Sequence, residues 1–150
     1  MSSLDDLYRR VIMDHYQNPR NRGAFEDDAL TINMNNPTCG DRISLQLKID
    51  NGKVRDAKFT GEGCSISMAS ASMMTDAIKG VDVDKALNMA DLFSRMMKGE
   101  DVEDELDELD IGDIEALQGV CKFPARIKCA TLAWKAMQKG VSETADHDKA

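Results

Sequence analysis

Apolar side chains recur at helical spacing near the start of the chain, at Leu4, Leu7, Tyr8, Val11 and Ile12, with His15 on or beside the same face, until Asn18-Pro19 stops the run. Ser3 and Asp6 form a capping-box-like start to this first helix. After a charged connection holding Gly23, the period changes to two. Residues 29–34 read as a first strand and 42–49 as a second, with Ile43, Leu45, Leu47 and Ile49 alternating against polar neighbours. Asn51-Gly52 is the pair of a tight hairpin, and residues 54–60 return as a third strand with Ala57 and Phe59 on one face. The pattern predicts a three-stranded antiparallel meander with one buried face.

The rest of the chain reads as helical. Residues 65–78 are rich in Ala, Ser and Met and apolar around most of the circumference, which predicts a central buried helix whose methionines fill the core rather than bind a metal. Gly80 ends it. Asp82 and Asp91 are candidate caps for two further short helices carrying Leu87, Leu92, Phe93, Met96 and Met97, closed by Gly99. Residues 100–110 are an acidic run expected on the surface, either a docking face for a basic partner or a solvated loop. A helical turn is expected over 113–120. Pro124 then opens a last helix, with Ile127, Ala130, Trp134 and Met137 on one face up to Gly140. Residues 141–150, His147 among them, are polar and expected to be a disordered tail. The fold class that follows is α+β, a three-stranded antiparallel sheet with helices packed against it, in a single domain over 1–140.

Composition narrows the function. A chain of 150 residues with 42% hydrophobic content builds one core. A net charge of -8 without any Lys/Arg-rich run argues against nucleic acid, since a phosphate backbone would be repelled. The amino terminus carries no basic segment leading into an apolar run and no window is apolar enough to span a bilayer, so the expected location is the cytoplasm, with no membrane partner. Thiols stay reduced there, and the four cysteines read as ligands or reactive thiols rather than disulfides.

Cys39 and Asp41 flank Gly40, just after Pro37, so their side chains can converge. Gly61 and Gly63 lead out of the third strand and deliver Cys64 to a helix start, where backbone N–H groups favour a thiolate. In a three-stranded meander the Cys39 loop and Cys64 share one end of the sheet. A metal site built from Cys39, Asp41, Cys64 and one later cysteine is the resulting hypothesis. Three thiolates and a carboxylate suit tetrahedral zinc. His15 reads as a packed or hydrogen-bonded histidine.

Three segments carry a resemblance. Asn36-Pro37-Thr38-Cys39-Gly40-Asp41, Gly61-Glu62-Gly63-Cys64-Ser65-Ile66-Ser67 and Arg126-Ile127-Lys128-Cys129-Ala130-Thr131-Leu132-Ala133-Trp134 resemble the cysteine motifs of the IscU/NifU-like iron-sulfur assembly family, and within it the SufU branch. The opening Val11-Ile12-Met13-Asp14-His15-Tyr16-Gln17-Asn18-Pro19-Arg20 is similar to the family's first helix. The resemblance implies zinc ligands Cys39, Asp41, Cys64 and Cys129, with Cys39 as the sulfur-accepting, catalytic thiol. Three departures separate the chain from the cluster scaffolds. Lys128 stands where scaffolds carry a histidine, Phe123 to Lys128 replaces their proline-rich chaperone motif, and Glu100 to Val120 looks like the SufU insertion. Cys121 matches no motif cysteine and reads as incidental.

The implied activity is that of a zinc-dependent sulfurtransferase. It would take persulfide sulfur from a SufS-type cysteine desulfurase onto Cys39 and deliver it to a SufBCD-type scaffold complex for iron-sulfur cluster assembly. The resemblance also suggests that a desulfurase histidine replaces Cys39 at the zinc, while Asp41 keeps its hold. Arg126 would orient the partner or stabilise anionic sulfur, against the plainer reading of a surface salt bridge. Two rivals stand beside this: a scaffold carrying a transient iron-sulfur cluster on Cys39, Cys64 and Cys129, and a non-enzymatic module whose zinc is structural.

Overall fold

Strands β1 (Leu30–Asn36), β2 (Asp41–Asp50) and β3 (Lys53–Glu62) form an antiparallel sheet in the order β1-β2-β3. The structure is a computed structural model, and it describes residues 3–37, 40–109 and 112–149. The ladder extends β1 to Asn36 and β3 to Glu62, because Asn36 pairs with Asp41 and Arg42 with Glu62. At the other end Asn51 and Gly52 both take positive φ, 54° and 74°, as a tight hairpin between right-twisted strands requires. Ile32, Ile43, Leu45, Leu47, Val54, Ala57 and Phe59 make the buried face.

The outer edge of β3 is covered at two places. Asn21 and Gly23 exchange backbone hydrogen bonds with Phe59, and Val54 does the same with Gly80 and Val81. Helix α2 (Ser65–Ile78) packs on β3, and α5 (Pro124–Lys149) lies over β1 and β2 and against α2. Helix α1 (Ser3–Gln17) and a 3-10 segment (Gly112–Lys122) cover α2 from outside, and α3 (Val83–Met97) packs on α5. Residues 67–75 of α2 are all buried, in keeping with its Ala, Ser and Met composition. No helix among the described residues is long and apolar enough to cross a membrane.

Three expectations are corrected. The segment with Asp82 and Asp91 forms one helix, α3, because Asp91 sits inside it and pairs with Arg95 at 3.2 Å instead of capping a second helix. The acidic run contains a helix, α4 (Glu103–Leu109), since Val102 and Leu106, one turn apart, are both buried while Asp104 and Glu108 are exposed. The last helix, expected to end at Gly140, continues as α5 through residues 141–149, and Val141 is fully buried. Gly140 is not a stop. A side chain there would meet Ile32 and Leu47, so the glycine lets the helix pass close over the sheet.

Two buried contacts tie α3 and α2 to α5. Phe93 stacks on Trp134 at 4.8 Å between ring centroids with an interplanar angle of 14°. The Trp134 indole N–H donates to Ser70 Oγ at 3.1 Å, and Ser70 donates to the Ala130 carbonyl at 2.6 Å. The two contributions separate by mutation. Trp134→Phe keeps a stacked ring and loses one hydrogen bond, with an expected cost of about 1–2 kcal/mol. Phe93→Ala opens a cavity and should cost about 3–5 kcal/mol. Urea unfolding midpoints measure both.

Candidate metal centre

Asp41 is the first residue of β2 and is fully buried, at the sheet end where β3 runs out toward α2. Its Oδ1 accepts the Cys64 backbone N–H at 3.0 Å. Its Oδ2 is buried and has no hydrogen-bond partner among the described residues. A carboxylate oxygen held out of water without a donor is costly unless a cation completes it. Gly63 makes the arrangement sterically feasible, because a Cβ at that position would overlap the Asp41 carboxylate.

Cys64 is the N-cap residue of α2, with extended backbone (φ -71°, ψ 168°), and its Sγ accepts the Ser67 N–H at 3.5 Å. A sulfur thus occupies the place usually taken by a capping oxygen. Cys129 lies in the second turn of α5, fully buried, its thiol facing the Ala125 carbonyl at 3.9 Å. One ligand atom each from Asp41, Cys64 and Cys129 lies within 4.8 Å of the others. Zinc bonds of about 2.3 Å to sulfur and about 2.0–2.2 Å to oxygen put tetrahedral ligands roughly 3.5–3.8 Å apart, so small side-chain shifts would close this group on an ion.

Arg126 faces the same group from the first turn of α5. Its guanidinium is held above its ordinary value, first by the charge of Cys64 and then by a hydrogen bond to and the charge of Cys129. Arg126 thus places a positive charge beside the two sulfurs.

The other candidates fall elsewhere. Cys39 lies outside the described residues, between Pro37 and Gly40 in the β1–β2 connection. Cys121 sits half-buried in the 3-10 segment and does not join the ligand group, so Cys129 is the later cysteine that does. Lys128 is exposed. His15 is buried in a polar chain, with Nδ1 2.8 Å from Ser72 Oγ and Nε2 2.8 Å from Asp113 Oδ2, while Ser72 Oγ also accepts the Arg20 N–H at 2.8 Å. That chain links α1, α2 and the 3-10 segment. Gly63 is the site residue that motif reading undervalued: as a turn residue it was visible, but its contact with a carboxylate across the sheet was not.

The NifU-like N terminal domain family matches residues 7–130 of the chain. The zinc-dependent sulfurtransferase SufU of Bacillus subtilis is 64% identical over 142 residues, covering 95% of this chain and 94% of that protein. The iron-sulfur cluster assembly scaffold protein IscU of Streptococcus pyogenes is 44% identical over 146 residues, 97% of this chain and 89% of its own length. A crystal structure of a hypothetical protein superimposes with a TM-score of 0.84 at 45% identity, over 92% of this chain and 98% of that one.

Gly63→Ala tests the cradle. The added methyl displaces the Asp41 carboxylate, so zinc affinity should drop about 10–100-fold, as for other residues that orient a ligand. Competition with a chromogenic chelator measures the loss, and circular dichroism should show the fold retained.

Proposed function

The chain belongs to the NifU-like N-terminal domain family, and on that premise we propose that it is a zinc-dependent sulfurtransferase serving iron-sulfur cluster assembly in the cytoplasm. The observation that carries the reading is the convergence of Asp41, Cys64 and Cys129, with one buried Asp41 oxygen lacking a donor among the described residues. It is supported by 64% identity to a protein named as a transferase of this kind. Cys39, two residues from Asp41 in the chain, would complete a set of three sulfurs and one oxygen. Zinc bound by such a set holds its thiols as thiolates at neutral pH and adds structural rigidity.

The chain's own residues then divide the work. Asp41, Cys64 and Cys129 sit on a strand, a helix start and a second helix, and form the fixed part of the site. Cys39 is the acceptor. Its thiolate attacks the terminal sulfur of a persulfide on the cysteine desulfurase; a sulfur–sulfur bond forms at Cys39 as the partner's breaks, and the partner's cysteine leaves as a thiolate. One sulfur atom moves and no net oxidation occurs. Arg126, beside the two thiols, would stabilise the anionic sulfur as it arrives. The donor is a SufS-type desulfurase, and the sulfur passes onward to a SufBCD-type scaffold complex.

Cys39→Ala should abolish the stimulation of alanine release by the desulfurase, and mass spectrometry should find the added sulfur on Cys39 of the wild type after reaction with cysteine. Alanine release that the variant still stimulates would remove Cys39 as acceptor. Protein purified without air should carry stoichiometric zinc; iron with acid-labile sulfide in its place would favour a cluster scaffold.

A further inference from the structure

Ser67 is fully buried, and its hydroxyl has no hydrogen-bond partner among the described residues. Buried hydroxyls elsewhere in α2 and α5 are engaged: Ser70 donates to the Ala130 carbonyl, Ser72 meets His15, and Thr75 and Thr131 bond back to the preceding turn. A hydroxyl left alone in a core is costly unless something else completes it. The position of Ser67 explains why its usual partner is taken. It is the third residue of α2, where a polar side chain ordinarily reaches back to the backbone N–H of the capping residue. That N–H belongs to Cys64 and is already given to Asp41 Oδ1. The polar atom left close by is the Cys64 sulfur. It accepts the Ser67 backbone N–H at 3.5 Å, so rotation about one side-chain bond swings the Ser67 hydroxyl toward it. Ser70, one turn on, meets the carbonyl of Ala130, the residue after Cys129, which puts Ser67 on the side of α2 turned to α5 and the ligand group.

We propose that the Ser67 hydroxyl donates to the Cys64 sulfur when the centre holds zinc, and that this bond keeps Cys64 a holding ligand rather than a sulfur acceptor. The inference rests on the sulfurtransferase reading and bears on which of its thiolates reacts. A metal-bound thiolate carries negative charge, so a hydrogen bond to it is charge-assisted, and the surrounding core strengthens it further. With the N–H and the O–H of Ser67 both directed at it, the sulfur gives up electron density and becomes a weaker nucleophile. It remains a thiolate and keeps its hold on the metal. Sulfur arriving at the centre then meets one thiolate tempered by two donors from α2, and the bond forms elsewhere. Ser67 is on this account a positioning residue, acting on the reaction only through Cys64.

The experiment compares full-length wild type, Ser67→Ala and Ser70→Ala, each loaded with zinc and, for spectroscopy, with cobalt(II) in its place. Equal metal content and circular dichroism check that all three fold. Loss of the Ser67 hydroxyl raises the energy of the sulfur electrons, so the sulfur-to-cobalt charge-transfer band of Ser67→Ala should move to longer wavelength. Iodoacetamide should alkylate Cys64 of its zinc form about threefold faster than in wild type, read by mass spectrometry of the peptide that carries it. Cys64 is half-buried and open to a reagent of that size. Ser70→Ala removes a buried hydroxyl one turn away, with its bonds to Ala130 and Trp134. It should lower the thermal unfolding midpoint and leave both the band and the alkylation rate as in wild type. A Ser67→Ala variant in which either signal stays at the wild-type value would overturn the proposal. So would a Ser70→Ala variant that moves both as far, since repacking of α2 would then be the cause. The underlying reading fails separately, in a zinc-loaded wild type that does not raise alanine release by a cysteine desulfurase, whatever Ser67→Ala does to the band.

Discussion

A single hydrogen bond joins the two halves of this molecule's chemistry, the 3.0 Å contact from the Cys64 backbone N–H to Asp41 Oδ1. It spans the end of a strand and the start of a helix, and it needs a glycine at position 63 to form. The second carboxylate oxygen is buried and has no donor among the described residues. A buried carboxyl oxygen without a donor is expensive on its own account. A cation among Asp41, Cys64 and Cys129, whose ligand atoms lie within 4.8 Å of one another, would offset that cost.

The rest of the fold serves that junction. The meander brings Asp41 and the end of β3 to one edge through the Asn36–Asp41 and Arg42–Glu62 pairs. Small residues let α2 sink between the sheet and α1, and the Ser70–Trp134–Phe93 cluster fixes α5 in register with it. Cys129 then reaches Asp41 and Cys64 from α5. No cysteine is close to another in sequence, so the site exists only if the whole core packs correctly.

Much of this was legible in the chain. Period-two alternation marked the three strands, Asn51-Gly52 the hairpin, and the glycines before Cys64 the approach to a helix start. What escaped reading depended on contacts between distant residues. Asp91 resembled a cap because its salt bridge to Arg95 within one helix competes with that role. The charges of residues 100–110 concealed Val102 and Leu106, a buried pair one turn apart. Gly140 looked like a terminator because glycine both ends helices and permits close packing, and only the proximity of Ile32 and Leu47 decides between them. At the site, residue types and spacing pointed to Asp41 and Cys64. The choice of Cys129 over Cys121 needed the family motif at the sequence level and the packing of α5 at the structural one. His15 had no visible partner, since Ser72 and Asp113 come to it from elsewhere in the chain.

The covering of β3 by residues 21–23 and by the turn before α3 has a bearing on how the protein behaves in a crowded cell. A small sheet has two sides from which foreign chains can polymerise, and here one is already occupied by the protein's own backbone. Protection against fibril growth therefore falls on β1, whose outward residues Thr31, Asn33 and Asn35 are polar and exposed. A run of aliphatic residues on that one strand would turn a carrier of reactive sulfur into a seed for aggregates.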